Sequence, residues 1–313
     1  MNDRIRTALY RAGIIIAMLA AITLVTSLSN GEDGMSAVTI EAVASPAADA
    51  FPAVEIEARA AYVYDMKEGK SLYEKDSEQQ LPLASLTKLM SAYVAATSAP
   101  DYLLVRITPA DIRQEGDSGL RPDEEWNIRK LIDYSLVVSS NDGMSAIASA
   151  TGAFIGEGGE AGAEDRFIRR MNETARSIGL SQTYFLNQSG LDVSDALSGG
   201  YGSARDIALL MNRILTEAPH LLEATSAKEI TISSKDVAHE AENTNKSVAS
   251  IPHVIASKTG YTGLSGGNLV IAFDAGIDHP IIISVLGSSY DGRFSDMQKL
   301  VSATLGYLSS QER

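Results

Sequence analysis

Cysteine is absent from the 313 residues, which excludes disulfide scaffolds, thiol nucleophiles and thiolate metal sites together. Histidine is scarce. His220, His239, His253 and His279 lack the paired spacing of a zinc site, so neither a metal nor a zinc carboxypeptidase is expected. Basic residues are outnumbered, with 26 Lys and Arg against 40 Asp and Glu and a net charge of -14. Sequence-independent nucleic-acid binding needs a basic face and is therefore not expected. The glycine-rich stretch 156–164 is acidic and lacks strand–loop–helix order, so it reads as a surface loop, and no cofactor is expected. No internal repeat occurs. What remains is 45% hydrophobic and 21% charged, the composition of a globular chain of one or two domains.

The first segment bears on location. Arg4, Arg6 and Arg11 precede an uncharged stretch over residues 12–30, and Glu32 and Asp33 follow it. About 19 residues at 1.5 Å each just cross a hydrocarbon core of about 30 Å. The sorting of charge puts the N-terminus in the cytoplasm and the remainder outside, in a periplasmic or other extracytoplasmic space. Two readings of residues 1–31 stand. One is a cleaved signal peptide, with Ser27 and Ser29 as a poor small-residue site; the other is an uncleaved membrane anchor. Residues 32–54, rich in Ala, Ser, Gly and acidic side chains, read as a flexible linker. Residues 55–313 are the folded body.

Within that body, residues 60–65 and 71–74 read as strands around a turn containing Gly69. Apolar spacings of three and four predict helices over 85–96, 128–136, 165–178 and 293–308. Ser203 to Asp206 resembles a capping box opening another helix. Residues 268–273 and 281–286 read as an antiparallel pair deep in a sheet. Strands at both ends with helices between them predict an α/β body. The first and last strands share one antiparallel sheet flanked by helices, and the middle helices form a second, mostly helical lobe.

Three short patterns stand in order: Ser85-Leu-Thr-Lys88, Ser139-Ser-Asn141 and Lys258-Thr-Gly260. Each alone has a plain structural reading. Ser85 can cap a helix and Lys88 can be a solvated helix residue. Ser139 and Asn141 can cap the helix that follows them, and Lys258-Thr-Gly can end a strand in a turn. Together they carry chemistry. Serine is a weak nucleophile near neutral pH and needs a base within reach. Residues i and i+3 share a helix face, so Lys88 can sit beside the Ser85 hydroxyl. Burial and a second cation from Lys258 would favour the neutral amine that a base requires. The backbone N–H of Ser85, near a helix start, suits an oxyanion. Ser139 can relay a proton and Asn141 can orient Lys88 and hold a substrate amide. Lys258 and Thr259 offer a cation and a donor to a carboxylate, and Gly260 leaves room for a peptide beside the strand.

The motif set and its surroundings resemble the serine D-alanyl-D-alanine carboxypeptidases, the low-molecular-weight penicillin-binding proteins. The resemblance rests on residues 82–90, 121–126 leading to 139–142, 185–192, 201–206 and 258–262, and covers about residues 55–308. It implies the penicillin-binding-protein/β-lactamase-like fold, with Ser85 as the acylated nucleophile, Lys88 as its base and Ser139 as proton relay. Asn141, Lys258, Thr259 and Gly260 complete the site, and Tyr261 supplies a second oxyanion N–H from its backbone. The implied substrates are peptidoglycan stem peptides ending in D-alanine, with β-lactams as acylating inhibitors. A D,D-endopeptidase would use the same residues, and a penicillin-binding sensor would acylate without turnover. A class A β-lactamase is not expected, because no E-x-x-x-N stretch lies between Asn141 and Lys258. The short span between the first two motifs, and an end soon after the last helix with no β-rich C-terminal domain, depart from many relatives.

Overall fold

The computed structural model describes residues 50–157 and 161–311, which fall within one unit, Ala48–Arg313. The expected signal or anchor, 1–31, and most of the linker lie outside the described residues. Of the linker, Phe51 sets its ring 5.5 Å from those of Tyr73 and Tyr307, so its last residues rest on the folded body.

Twelve strands, numbered in chain order, occur among the described residues, and the main sheet holds five of them in the order β10-β11-β12-β1-β2. These are β1 (Ala60–Asp65), β2 (Lys70–Lys75), β10 (Val254–Thr262), β11 (Gly266–Asp274) and β12 (Pro280–Ser288). All pairings are antiparallel, and β1 joins β12 with Ala60 opposite Leu286, as the strands at the two ends of the body predict. Side chains of a strand alternate between faces. Leu269, Ile271 and Phe273 of β11 and Ile281, Ile283 and Val285 of β12 therefore pack against the last helix, Gly292–Gln311, through Met297, Leu300 and Val301. Val270, Ala272, Ile282 and Leu286 point the other way into the larger core shared with the helical lobe. A sheet covered on both faces explains the unbroken apolar runs in these strands.

The helical lobe comprises α1 (Thr87–Ser98), α2 (Ile128–Val137), α3 (Asn141–Phe154), α4 (Ala163–Ser177) and α5 (Ala204–Glu217), with α6 being the last helix named above. Several local features differ from the sequence reading. Helix α4 begins inside the expected loop 156–164, because Gly162 takes a left-handed conformation (φ 67°) that turns the chain into the helix. Ser203 caps α5 by accepting from Asp206 N at 3.1 Å, but the Asp206 carboxylate turns away to accept from Gln182 N and Thr183 Oγ1. Only half of a capping box forms. Ser140, not Ser139 or Asn141, caps α3, accepting from Gly143 N at 2.8 Å. Lys258-Thr-Gly lies within β10 and does not end it.

Candidate active site

The first motif begins on a 3-10 turn, Ala84–Leu86, and not in the α-helix expected from residue 85. The turn leads directly into α1, so Ser85 and Lys88 still meet on one side. Three contacts from distant parts of the chain hold it. Leu83 N donates to Gly200 O at 2.9 Å. Asn268 of β11 donates through Nδ2 to the carbonyls of Pro82 and Leu83, both at 3.0 Å. Gly190 packs so closely that an added Cβ would fall 1.9 Å from Ala84 O. Ala84 itself sits at φ 47°, an uncommon region for a residue with a side chain.

Lys88 has 0% exposure, and its Nζ donates to Ser85 Oγ at 2.8 Å, Asn141 Oδ1 at 2.7 Å and Ser189 O at 2.8 Å. The amide and carbonyl oxygens can only accept, whereas the hydroxyl can also donate. A neutral amine therefore keeps two N–H bonds on Asn141 and Ser189 and turns its lone pair to the Ser85 hydroxyl. Burial, and then the positive charge of Lys258, hold the Lys88 ammonium well below its ordinary range. Asn141 is oriented for this contact because its Nδ2 donates to Glu115 O at 2.6 Å.

Lys258 is 1% exposed and donates to Ser139 Oγ at 2.8 Å. Ser139 takes a left-handed conformation, φ 61°, which places its hydroxyl toward β10 while Ser140 starts α3. Thr259 Oγ1 lies 2.6 Å from Thr244 Oγ1. Strand β10 is at the edge of the sheet. A Cβ on Gly260 would lie 3.2 Å from Ser85 N, so glycine lets the strand approach the Ser85 turn. Ser85, Ser139, Thr259, Gly260 and Tyr261 line one cleft of about 360 Å³. All eight candidate residues thus meet at one place, with the lysines behind the cleft surface.

Two contributors lay outside the sequence reading. The Ser189 carbonyl belongs to the segment 185–192, which carries part of the family resemblance but no assigned role in the site. Its Asn187 Oδ1 accepts from Gly190 N at 2.7 Å, and so shapes the loop that presents Ser189 O to Lys88. Arg293, which sequence alone placed only at a helix start, is 3% exposed and donates to Gly260 O at 2.9 Å. Its guanidinium lies 4.4 Å from the centroid of the Tyr290 ring. No local pattern marks Arg293, since it is brought to β10 from 33 residues away.

Lys258 titrates at about 7, lowered by burial and then by Arg293. A free lysine titrates near 10.4, so the fold disfavours the charged form. Stability is complete above the unfolded value and falls as pH drops through about 7. Anion binding runs in the opposite direction, since the cation is present below about 7 and lost above it. The second-order rate of penicillin labelling, followed from about pH 5 to pH 9, is expected to show an alkaline limb centred near the Lys258 value. Lys258→Arg should remove that limb, because guanidinium stays charged.

A covered antiparallel sheet, a helical lobe and a hydroxyl–amine pair between them make this a penicillin-binding D,D-peptidase fold. The chain belongs to the D-alanyl-D-alanine carboxypeptidase family, whose model matches residues 43–289. It is 30% identical over 79% of its length to D-alanyl-D-alanine carboxypeptidase DacC of Escherichia coli, and 31% identical over 66% to DacF of Bacillus subtilis. It spans 61% and 51% of those two proteins. A penicillin-binding protein of Listeria monocytogenes, solved in its ampicillin-bound form, superposes with a TM-score of 0.66 at 26% identity. That match covers 80% of this chain and 98% of the Listeria chain.

Proposed function

We propose that this protein is a serine-type D,D-carboxypeptidase that removes the terminal D-alanine from peptidoglycan stem peptides through an acyl-serine intermediate. The observation that carries this reading is the buried Lys88 amine, 2.8 Å from Ser85 Oγ and kept from its charged form. Ser85 Oγ attacks the carbonyl of the penultimate D-alanine and Lys88 takes the hydroxyl proton. The oxyanion rests between the backbone N–H groups of Ser85 and Tyr261. Ser139, bonded to Lys258, passes a proton to the leaving nitrogen, and free D-alanine departs. Water then cleaves the ester and restores Ser85. Lys258, Thr259 and Arg293 draw the terminal carboxylate to the leaving side, and Asn141 orients Lys88 and meets the substrate amide.

A β-lactam would acylate the same serine, a reading supported by the ampicillin-bound Listeria relative. Residues 1–31 are taken to carry the chain across the membrane and residues 32–54 to tether the catalytic body, on the charge sorting around the uncharged stretch 12–30.

Fluorescent penicillin is expected to label the wild type at one site and to leave Ser85→Ala dark. Labelling of the alanine variant would sink the nucleophile assignment. Incubation with a pentapeptide should release free D-alanine, read by mass spectrometry. Labelling without release would replace the carboxypeptidase by a sensor or, if a cross-linked peptide is cut, by a D,D-endopeptidase.

A further inference from the structure

Beyond the groups assigned to the reaction, the cleft carries one more cation. Lys246 lines it together with Tyr290, Tyr261 and Arg293, on the wall that also holds Thr259. The turn that bears it is firmly held. Asn243, Asn245, Ser247 and Val248 are all buried. Asn243 Nδ2 donates to the carbonyls of Thr225 and Ala227 at 2.8 and 2.9 Å. Asn245 N donates to Asn243 Oδ1 at 2.8 Å, and Ser247 N to Asn245 Oδ1 at 3.0 Å. Amid these inward-facing neighbours the Lys246 side chain is exposed. Among the described residues its ammonium meets no carboxylate within ion-pair distance; its Nζ lies 5.7 Å from the centroid of the Tyr290 ring. The ring is 45% exposed and stands edge-on to Tyr261, with centroids 5.0 Å apart, so the two form an aromatic shelf beside the cation.

The charges facing this space are Lys246, Arg293 and one carboxylate, Glu242. Arg293 donates to Gly260 O and, in the proposed mechanism, draws the carboxylate of the leaving residue. Lys246 is therefore the cation left to meet whatever projects beyond that carboxylate. Thr244, two residues before it, touches Thr259, which puts the turn on the leaving-group side of the cleft.

We propose that Lys246, backed by Tyr290, is a specificity-determining residue that, where the leaving D-amino acid has a side chain longer than the methyl of alanine, favours an anionic one over a cationic one. The methylenes of that side chain lie on the tyrosine shelf and its carboxylate meets the ammonium. The proposal rests on the peptidase reading above. The contact is solvent-exposed, so each charge contributes a few-fold and not a hundred-fold.

The test uses three acyl peptides identical except for their last residue, ending in D-Ala-D-Ala, D-Ala-D-Glu or D-Ala-D-Lys. Release of the terminal amino acid gives kcat/KM for each. The full chain is expected to favour D-Glu over D-Lys by about 5-fold at low salt, and less as salt rises. Lys246→Ala should bring the ratio near one, Lys246→Glu should invert it, and Lys246→Arg should keep it. A ratio unchanged across the variants, with D-alanine still released, overturns this proposal alone. No release from any of the three peptides by the wild type overturns both this proposal and the peptidase reading.

Discussion

Replacing Lys88 with arginine is expected to slow acylation by about 10² to 10⁴-fold, the range that a positioned general base contributes. Lysine suits the proposed role because burial and the Lys258 charge press its amine toward the neutral form. Arginine has no lone pair at neutral pH, since its guanidinium keeps its proton. It would still offer donors to Asn141 Oδ1 and Ser189 O, so the loss falls on proton abstraction more than on the hydrogen bonds. Lys88→Met removes charge and lone pair alike without enlarging the side chain and should fall to the same level. The labelling rate with fluorescent penicillin measures both, and a thermal melt establishes that the variants are folded. Labelling of Lys88→Arg at the wild-type rate would remove Lys88 from the role of base.

Gly190→Ala is expected to damage both stability and acylation, although residue 190 touches no substrate in the proposed mechanism. The glycine has φ 81°, and an added Cβ would lie 1.9 Å from Ala84 O and 2.7 Å from Thr87 Oγ1. One obstacle is backbone and cannot swing aside, and the left-handed conformation adds its own strain. Together they cost about 3–5 kcal/mol, a fall in melting temperature of about 6–15 °C for a domain of this size. Relief would push apart the Ser85 turn and the Ser189 loop, the two sides that hold Lys88. Gly263→Ala is the control, because nothing lies within 4 Å of its added Cβ. Equal melting temperatures for the two variants would mean that the close approach does not constrain the site.

Much of the fold follows from period alone. The runs in β11 and β12 and the spacing in α2 and α6 each satisfy one face or two, and a chain can meet that demand only locally. The small strands were not legible. Leu81–Pro82, Tyr184–Phe185 and Gly200–Gly202 form a three-stranded sheet from pieces too short to show a period. The start of α1 was misplaced for a related reason. Ala84 adopts positive φ under tertiary constraint, from Asn268 and Gly190, which no propensity reports.

The absence of cysteine and the shortage of histidine turned attention to serine and lysine, and three spaced motifs pointed to particular ones. The sequence by itself determined those residue types, their order and the family resemblance, because side-chain chemistry and local spacing are written in it. Only the tertiary structure decided how they act. It buried Lys88 and Lys258 near one another, lowering both amines, since desolvation depends on neighbours from every element around them. It also brought Ser189 O, Arg293 and Lys246 to the cleft from segments without a motif, because a carbonyl or a rim cation is selected by where the chain passes.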